Sequence, residues 1–198
     1  MTRKLFPFAL LALALPLLAL PASAQRYSWA VKFVCGYNPS NIGQSLQGTK
    51  EGEPTVKFGN YATDINIYNP GYFDSASIRK KVILLVSKGF PEGREPRYSK
   101  PIAFDGIELP TMNATMDDCN RIGELIYGGA VPTPMPLFIG FLVLESNTDL
   151  DVTAVYTAET CSNWVNSPEK LECLDTSGKH QGVGISIDVD QVKGRLLQ

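Results

Sequence analysis

Four cysteines, Cys35, Cys119, Cys161 and Cys173, and one histidine, His180, carry most of the reactive chemistry available to this chain of 198 residues. Four thiols in an oxidising compartment most economically make two disulfides, for which three pairings exist. The preferred pairing joins Cys161 to Cys173, closing a short loop, and therefore Cys35 to Cys119, tying the first strand to the middle of the chain. In the chain-entropy model the longer closure is worth about 4–5 kcal/mol and the shorter about 3 kcal/mol before strain. A zinc site is the rival reading, but structural zinc sites typically draw on closely spaced pairs, and the chain has no Cys-x-x-Cys. Any Ser, His and Asp arrangement has to use His180, which lies between Gly178 and Gly182 in a polar stretch, and no serine sits in a Gly-x-Ser-x-Gly elbow. The plainer reading of His180 is a solvated loop histidine. No catalytic residue, metal or cofactor is therefore expected.

Two further groups of residues have chemistry to offer. Asp149 with Asp151, and Asp188 with Asp190, stand two apart, so that on a strand each pair points the same way and presents hard oxygens suited to calcium. Calcium takes six or more oxygens and no EF-hand supplies the rest, so a charged face that keeps a sheet soluble is the favoured reading. Aromatic side chains form the last group. Tyr68, Tyr72 and Phe73 flank the turn Asn69-Pro70-Gly71, and Trp164 lies between the later two cysteines. At the loop ends of a β-domain such rings stack on sugars or anchor a protein partner; folded back, they cover the ends of the core. These four are the candidate binding residues, with an unknown protein or carbohydrate as the partner.

The elements that must position them begin after a segment to be set aside. Arg3 and Lys4 precede an apolar run from Leu5 to Leu20 that ends in Pro21-Ala22-Ser23-Ala24, the pattern of a signal peptide over residues 1–24. Its removal takes away two cations and no acid, moving the formal net charge from −2 to about −4. An acidic domain is a poor nucleic-acid ligand, and no later apolar run is long enough to span a bilayer. Residues 25–198 are expected to form one secreted or periplasmic domain, free of nucleic acid and of the membrane after cleavage.

Within that domain the apolar weight concentrates in residues 137–158. Leu137 to Glu145 reads as a strand buried on both faces, Ser146 to Asp149 as a turn, and Leu150 to Thr157 as an alternating half-buried strand, together a hairpin at the core. Further strands are expected at Tyr27–Val34, Pro54–Phe58, Tyr61–Asn69, Ser77–Ser87, Pro101–Leu109 and Val183–Val189, the last with Ile187 and Val189 inward. Arg79, Lys80 and Lys81 make the first half of the strand at Ser77–Ser87 basic, which places that half towards solvent. One short helix starts at Asp117 and Asp118, carries Ile122, Leu125 and Ile126 on one stripe, and stops at Gly128-Gly129. Strands with turns between and a single helix predict an all-β fold, a two-sheet antiparallel sandwich of Ig-like or jelly-roll-like order with two disulfides.

Several of these stretches occur together in a known group. Val34-Cys35-Gly36, Asn60-Tyr61-Ala62-Thr63, Ile65-Asn66-Ile67-Tyr68-Asn69-Pro70, Asp118-Cys119, Phe138-Ile139-Gly140-Phe141 and the run from Leu150 to Ala158 resemble a group of uncharacterised bacterial secreted β-sandwich proteins over most of residues 25–198. The resemblance implies that the first two cysteines belong to a shared core and the later pair to an added loop; it implies no activity. The strand order is also remotely similar to the β-sandwich of sensory rhodopsin transducers, a likeness of architecture alone. The functional expectation is a non-catalytic secreted or periplasmic binding or structural module. An extracellular hydrolase, or a transducer-like partner module working as a homo-oligomer, are the alternatives.

Overall fold

The computed structural model describes residues 26–38, 56, 59–72, 74–160, 164–166, 171–173 and 184–197; of 160, 164–166, 171–173 and 184–186 it describes the backbone. The chain is mostly β. In order come β1 (Arg26–Asn38), β2 (Gly59–Tyr68), β3 (Ala76–Ser87), β4 (Phe90–Pro91), β5 (Pro101–Leu109) and β6 (Ala114–Asp117). The helix α1 (Cys119–Tyr127) follows, then β7 (Phe138–Ser146), β8 (Asp151–Thr160), β9 (Trp164–Asn166), β10 (Leu171–Cys173), β11 (Gly184–Val192) and β12 (Arg195–Leu197). Ten strands join in one antiparallel sheet, and β9 with β10 makes a separate two-stranded ribbon.

The sheet consists of two groups of ladders that share β1. Along residues 27–35 β1 pairs with β7, which pairs with β3, and β3 carries β5 and β4 on its far side. From Gly36 to Asn38 β1 pairs instead with β2, which carries β8 and β6, with β11 beyond β8. Gly36 makes the transfer possible: its φ is +92°, and a Cβ there would stand 2.4 Å from the carbonyl oxygen of Pro136.

On the N-terminal side of Gly36 the two strands part, and side chains take over where the ladder fails. Thr63 is the residue that would oppose Val34 in the continued β1–β2 register. Its buried hydroxyl donates to the Val34 carbonyl at 3.0 Å and accepts from the Val34 N–H at 3.0 Å, substituting for both main-chain bonds. Two residues earlier the Tyr156 hydroxyl donates to the Lys32 carbonyl at 3.1 Å.

One apolar cluster gathers side chains from both groups: Trp29, Val31 and Phe33 of β1, Ile65 and Ile67 of β2, Ile78 and Val82 of β3, Leu142 and Leu144 of β7, and Val152 and Ala154 of β8. Ile122 from α1 joins them. Asp118 caps the helix, accepting from the Arg121 N–H at 2.7 Å, and Gly128 ends it in the left-handed conformation at φ 68°. The Cys35–Cys119 disulfide binds the first turn of α1 to β1 across a sequence separation of 84. The pairing of Cys161 with Cys173, and a strand at Pro54–Phe58, fall outside the described residues, although Cys173 lies in β10 and Val56 packs on a small cluster of Val86, Leu137 and Ile139.

Three sequence expectations are corrected. Residues 137–158 are not a hairpin: β7 pairs with β1 and β3, and β8 with β2 and β11, so the turn at 147–150 carries the chain from one ladder group to the other. Turn residues specify a reversal of direction, and they leave open which strands become neighbours. Lys80 does not face solvent but lies on the inner face of β3 between Ile78 and Val82. Ile187 and Val189 are exposed, because they stand opposite Thr157 and Val155 on the outward side of β8, whose inward residues are Val152 and Ala154. The strands β4, β6 and β12 are too short to show periodicity.

Because the Thr63 hydroxyl serves both the Val34 amide and carbonyl, Thr63→Val should cost about 1–3 kcal/mol, read from the midpoint of denaturant unfolding. Thr63→Ser, which restores the hydroxyl, should recover most of that loss.

Candidate functional site

Two places in the molecule concentrate chemistry. The first is the outward face of the β1–β7–β3–β5 ladder. Strand alternation and register set Ser28, Glu145 and Arg79 in one row, Ala30, Val143, Lys81 and Phe104 in the next, and Lys32, Phe141 and Ile83 in a third. Arg26 lies on the same face of β1, and Arg195 of β12 stands opposite Ser28. Phe104 is 69% exposed and Ile102, two residues before it, 51%. The face therefore carries exposed Phe104 and Ile102 on its outermost strand, β5, and five cations on β3, β1 and β12, with Glu145 between Arg79 and Ser28 and Glu108 at its margin.

Glu145 organises that face. It accepts from Arg79 at 3.0 Å and from Lys81, and these contacts set its acidity. The Lys81 hydrogen bond holds its carboxyl below the ordinary range against the upward push of burial, with Lys81, Arg79 and Arg26 adding attraction.

The second place is the interior. The Lys80 ammonium, 3% exposed, meets the Asp117 carboxylate, 2% exposed, at 2.8 Å from Oδ1 and 2.7 Å from Oδ2. Oδ1 receives an aligned hydrogen bond, whereas Oδ2 is buried with no aligned donor. Lys80 belongs to β3 and Asp117 to β6, strands that share no ladder. Directly opposite Lys80 on β5 is Asp105, whose carboxylate accepts from Arg121 at 2.6 Å and from the Gly106 N–H at 2.9 Å. Partial burial pushes the Asp105 carboxyl up, but the Arg121 and Gly106 hydrogen bonds with the charges of Arg121 and Lys80 outweigh it and keep the group below the ordinary range. Arg121 extends the series to Glu124 at 3.1 Å.

The sequence-expected binding residues do not assemble. Tyr68 is half-buried, and its hydroxyl donates to the Met112 sulfur at 3.2 Å. Tyr72, 78% exposed, follows a turn held by the buried Asn69, whose amide donates to the carbonyls of Asp74 and Leu109 and whose Oδ1 accepts from the Gly71 N–H. Phe73 lies outside the described residues. Trp164 is described by backbone only, in β9 opposite Cys173. The chain leaves β8 for β9 beyond Thr160, whereas Tyr68 opposes Asp151 at the other end of the same ladder. His180 lies outside the described residues.

Asp149, Asp151, Asp188 and Asp190 are exposed, and among the described residues no group of three or more acidic, histidine or cysteine side chains is placed to hold a metal ion. Asp190 and Asp188 act on Tyr156, whose hydroxyl is raised first by burial and then by these two charges. The sequence missed Lys80, Asp105 and Asp117 as a group, and the only signal for it was a lysine at a position where strand alternation demands an apolar residue.

The chain matches no protein-family model, no curated protein and no solved structure.

A carboxylate whose acidity is strengthened in the folded state stabilises the fold above its ordinary titration range and loses that contribution as pH falls through it. Glu145 fits this case, with partners exposed enough that its worth is about 1 kcal/mol or less. Glu145→Gln should therefore lower stability near neutral pH, and the gap from the unchanged protein should close on acidification below about pH 4, as followed by thermal unfolding across a pH series.

Proposed function

We propose that this chain is an exported, non-catalytic binding module, built as a two-layer β-sandwich, which takes an acidic protein partner on the outward face of β1, β3, β5 and β7. The observation that carries this reading is the composition of that face. On a chain with more acidic than basic residues, it places five cations on the strands inward of an exposed apolar edge made by Phe104 and Ile102. An exposed apolar anchor beside a surface of mostly one charge sign suits an interface: the cations give an acidic partner its orientation and encounter rate, and the aromatic anchor gives affinity.

Support for the sandwich comes from the shared core. Its side chains come from both ladder groups, and β1 passes from one to the other at Gly36. Export is supported by the signal-like residues 1–24 and by the Cys35–Cys119 disulfide, which suits an oxidising compartment. Among the described residues no helix is long and apolar enough to cross a membrane. A protein partner is preferred to a carbohydrate because the aromatics that would stack on sugar are attached to opposite ends of the β2–β8 ladder, and Tyr68 is already tied to Met112.

Photocrosslinkers placed at residues 104 and 72 of the exported protein in its own envelope should separate the readings. Residue 104 should yield a discrete protein adduct, weakened about tenfold or more by Ile102→Ser and reduced by Lys32→Glu with Arg195→Glu. Adducts from residue 72 alone, or an adduct at 104 indifferent to all three substitutions, would overturn the assignment.

A further inference from the structure

We propose that Lys80 and Asp117 condense to a side-chain amide, making a second covalent tie across the interior of the protein. The cross-link is independent of what the outward face binds. It is a modification site formed by the chain's own residues and it needs no further reactant.

The geometry brings the reacting atoms together. An atom within 2.8 Å of both carboxylate oxygens lies roughly 3 Å from the carbon between them, inside the near-attack range of about 3–3.5 Å. Both groups are buried, and both are held on strands, β3 and β6, rather than on loops. Fixed proximity of this kind corresponds to effective concentrations of about 10⁵ M or more. Burial supplies the drive: keeping an ammonium and a carboxylate out of water costs several kcal/mol per ion, and exchanging them for a neutral amide removes both charges.

The step balances. Lys80 Nζ forms a bond to Asp117 Cγ, and the bond from Cγ to Oδ2 breaks. Two of the three ammonium protons leave with Oδ2 as water, and the third remains as the amide N–H. The departing atom is the one that no aligned donor holds in place, whereas Oδ1, which becomes the amide carbonyl oxygen, is the hydrogen-bonded one. Asp105, opposite Lys80 in the ladder, is held by Arg121 and the Gly106 N–H, so the protons pass directly from the attacking nitrogen to the leaving oxygen.

The amide would stand two residues from Cys119, so that β6 and the first turn of α1 are tied to β3 by nitrogen and to β1 by sulfur. The two ties respond differently to reductant, since the amide survives conditions that open the disulfide.

Intact mass spectrometry of the exported protein, fully reduced and denatured, tests the proposal without any variant. The expected result is a mass lower than the sequence requires by one water, with a branched proteolytic fragment joining residues 80 and 117. The same protein should run ahead of Lys80→Arg on a denaturing reducing gel, because Lys80→Arg keeps the ion pair but has no nucleophilic amine. A full sequence mass in protein recovered folded would overturn the proposal. So would a lighter species that persists in Asp117→Ala.

Discussion

A lysine ammonium inside an apolar core tolerates few arrangements, and in this protein it sets the rest. Desolvating Lys80 is affordable only with a carboxylate at hydrogen-bond distance, and β3 itself offers none, because its inward positions are Ala76, Ile78, Val82, Leu84 and Val86. The carboxylate opposite it on β5, Asp105, is engaged by Arg121 and the Gly106 N–H, and the contacting counter-charge comes from a strand outside the β3 ladder. Asp117 supplies it from β6, which is held to β2 by the pairing of Ile65 with Asp117 itself. A shift of one residue in either register would turn one partner outward and leave the other charge buried alone, so the pair fixes β3 against β2 more strictly than apolar contacts would.

Three consecutive residues then act in different directions. Asp117 reaches Lys80, Asp118 caps α1, and Cys119 is bonded to Cys35. The end of β6 is thus a junction where a strand, a helix and both ladder groups meet within about ten ångströms of extended chain. Thr63 adds a fourth tie, since its N–H approaches the Cys119 sulfur at 3.1 Å while its hydroxyl serves Val34. The gap between β1 and β2 is consequently lined by groups that are each spoken for, which is what allows two strands to separate in the interior without stranding polar backbone.

Much of this was legible beforehand, for physical reasons that differ by element. The alternation in β1 and β3, the strand at β7 and the capped helix follow from properties local to the chain, although β7, read as buried on both faces, leaves Phe141, Val143 and Glu145 half-buried on the outward one. What failed was neighbourhood. The Ser146–Asp149 turn is correct as a turn, but Ser146 and Asn147 serve to pass the chain between ladder groups, with Asn147 accepting from the Ser77 N–H. Ile187 and Val189 alternate as core residues do, yet inward and outward are properties of the sheet, and β11 stands at its margin. Asp117 reads as the start of a helix because a carboxylate there suits the helix dipole, and its true partner is 37 residues away.

The run Arg79-Lys80-Lys81 shows why composition alone misleads in a strand. Three adjacent cations on a helix or loop would share one solvated surface. On a strand, period two must separate them, sending the middle one to the face opposite its neighbours. Arg79 and Lys81 accordingly converge on Glu145 in the outward rows, while Lys80 enters the core and meets Asp117. The consequences diverge with the dielectric. Outside, water screens the pairs and leaves the charges available for recognition. Inside, the same lysine chemistry loses its water, gains a fixed carboxylate at contact distance, and is left with two ways to relieve the cost of burial, an ion pair or a bond.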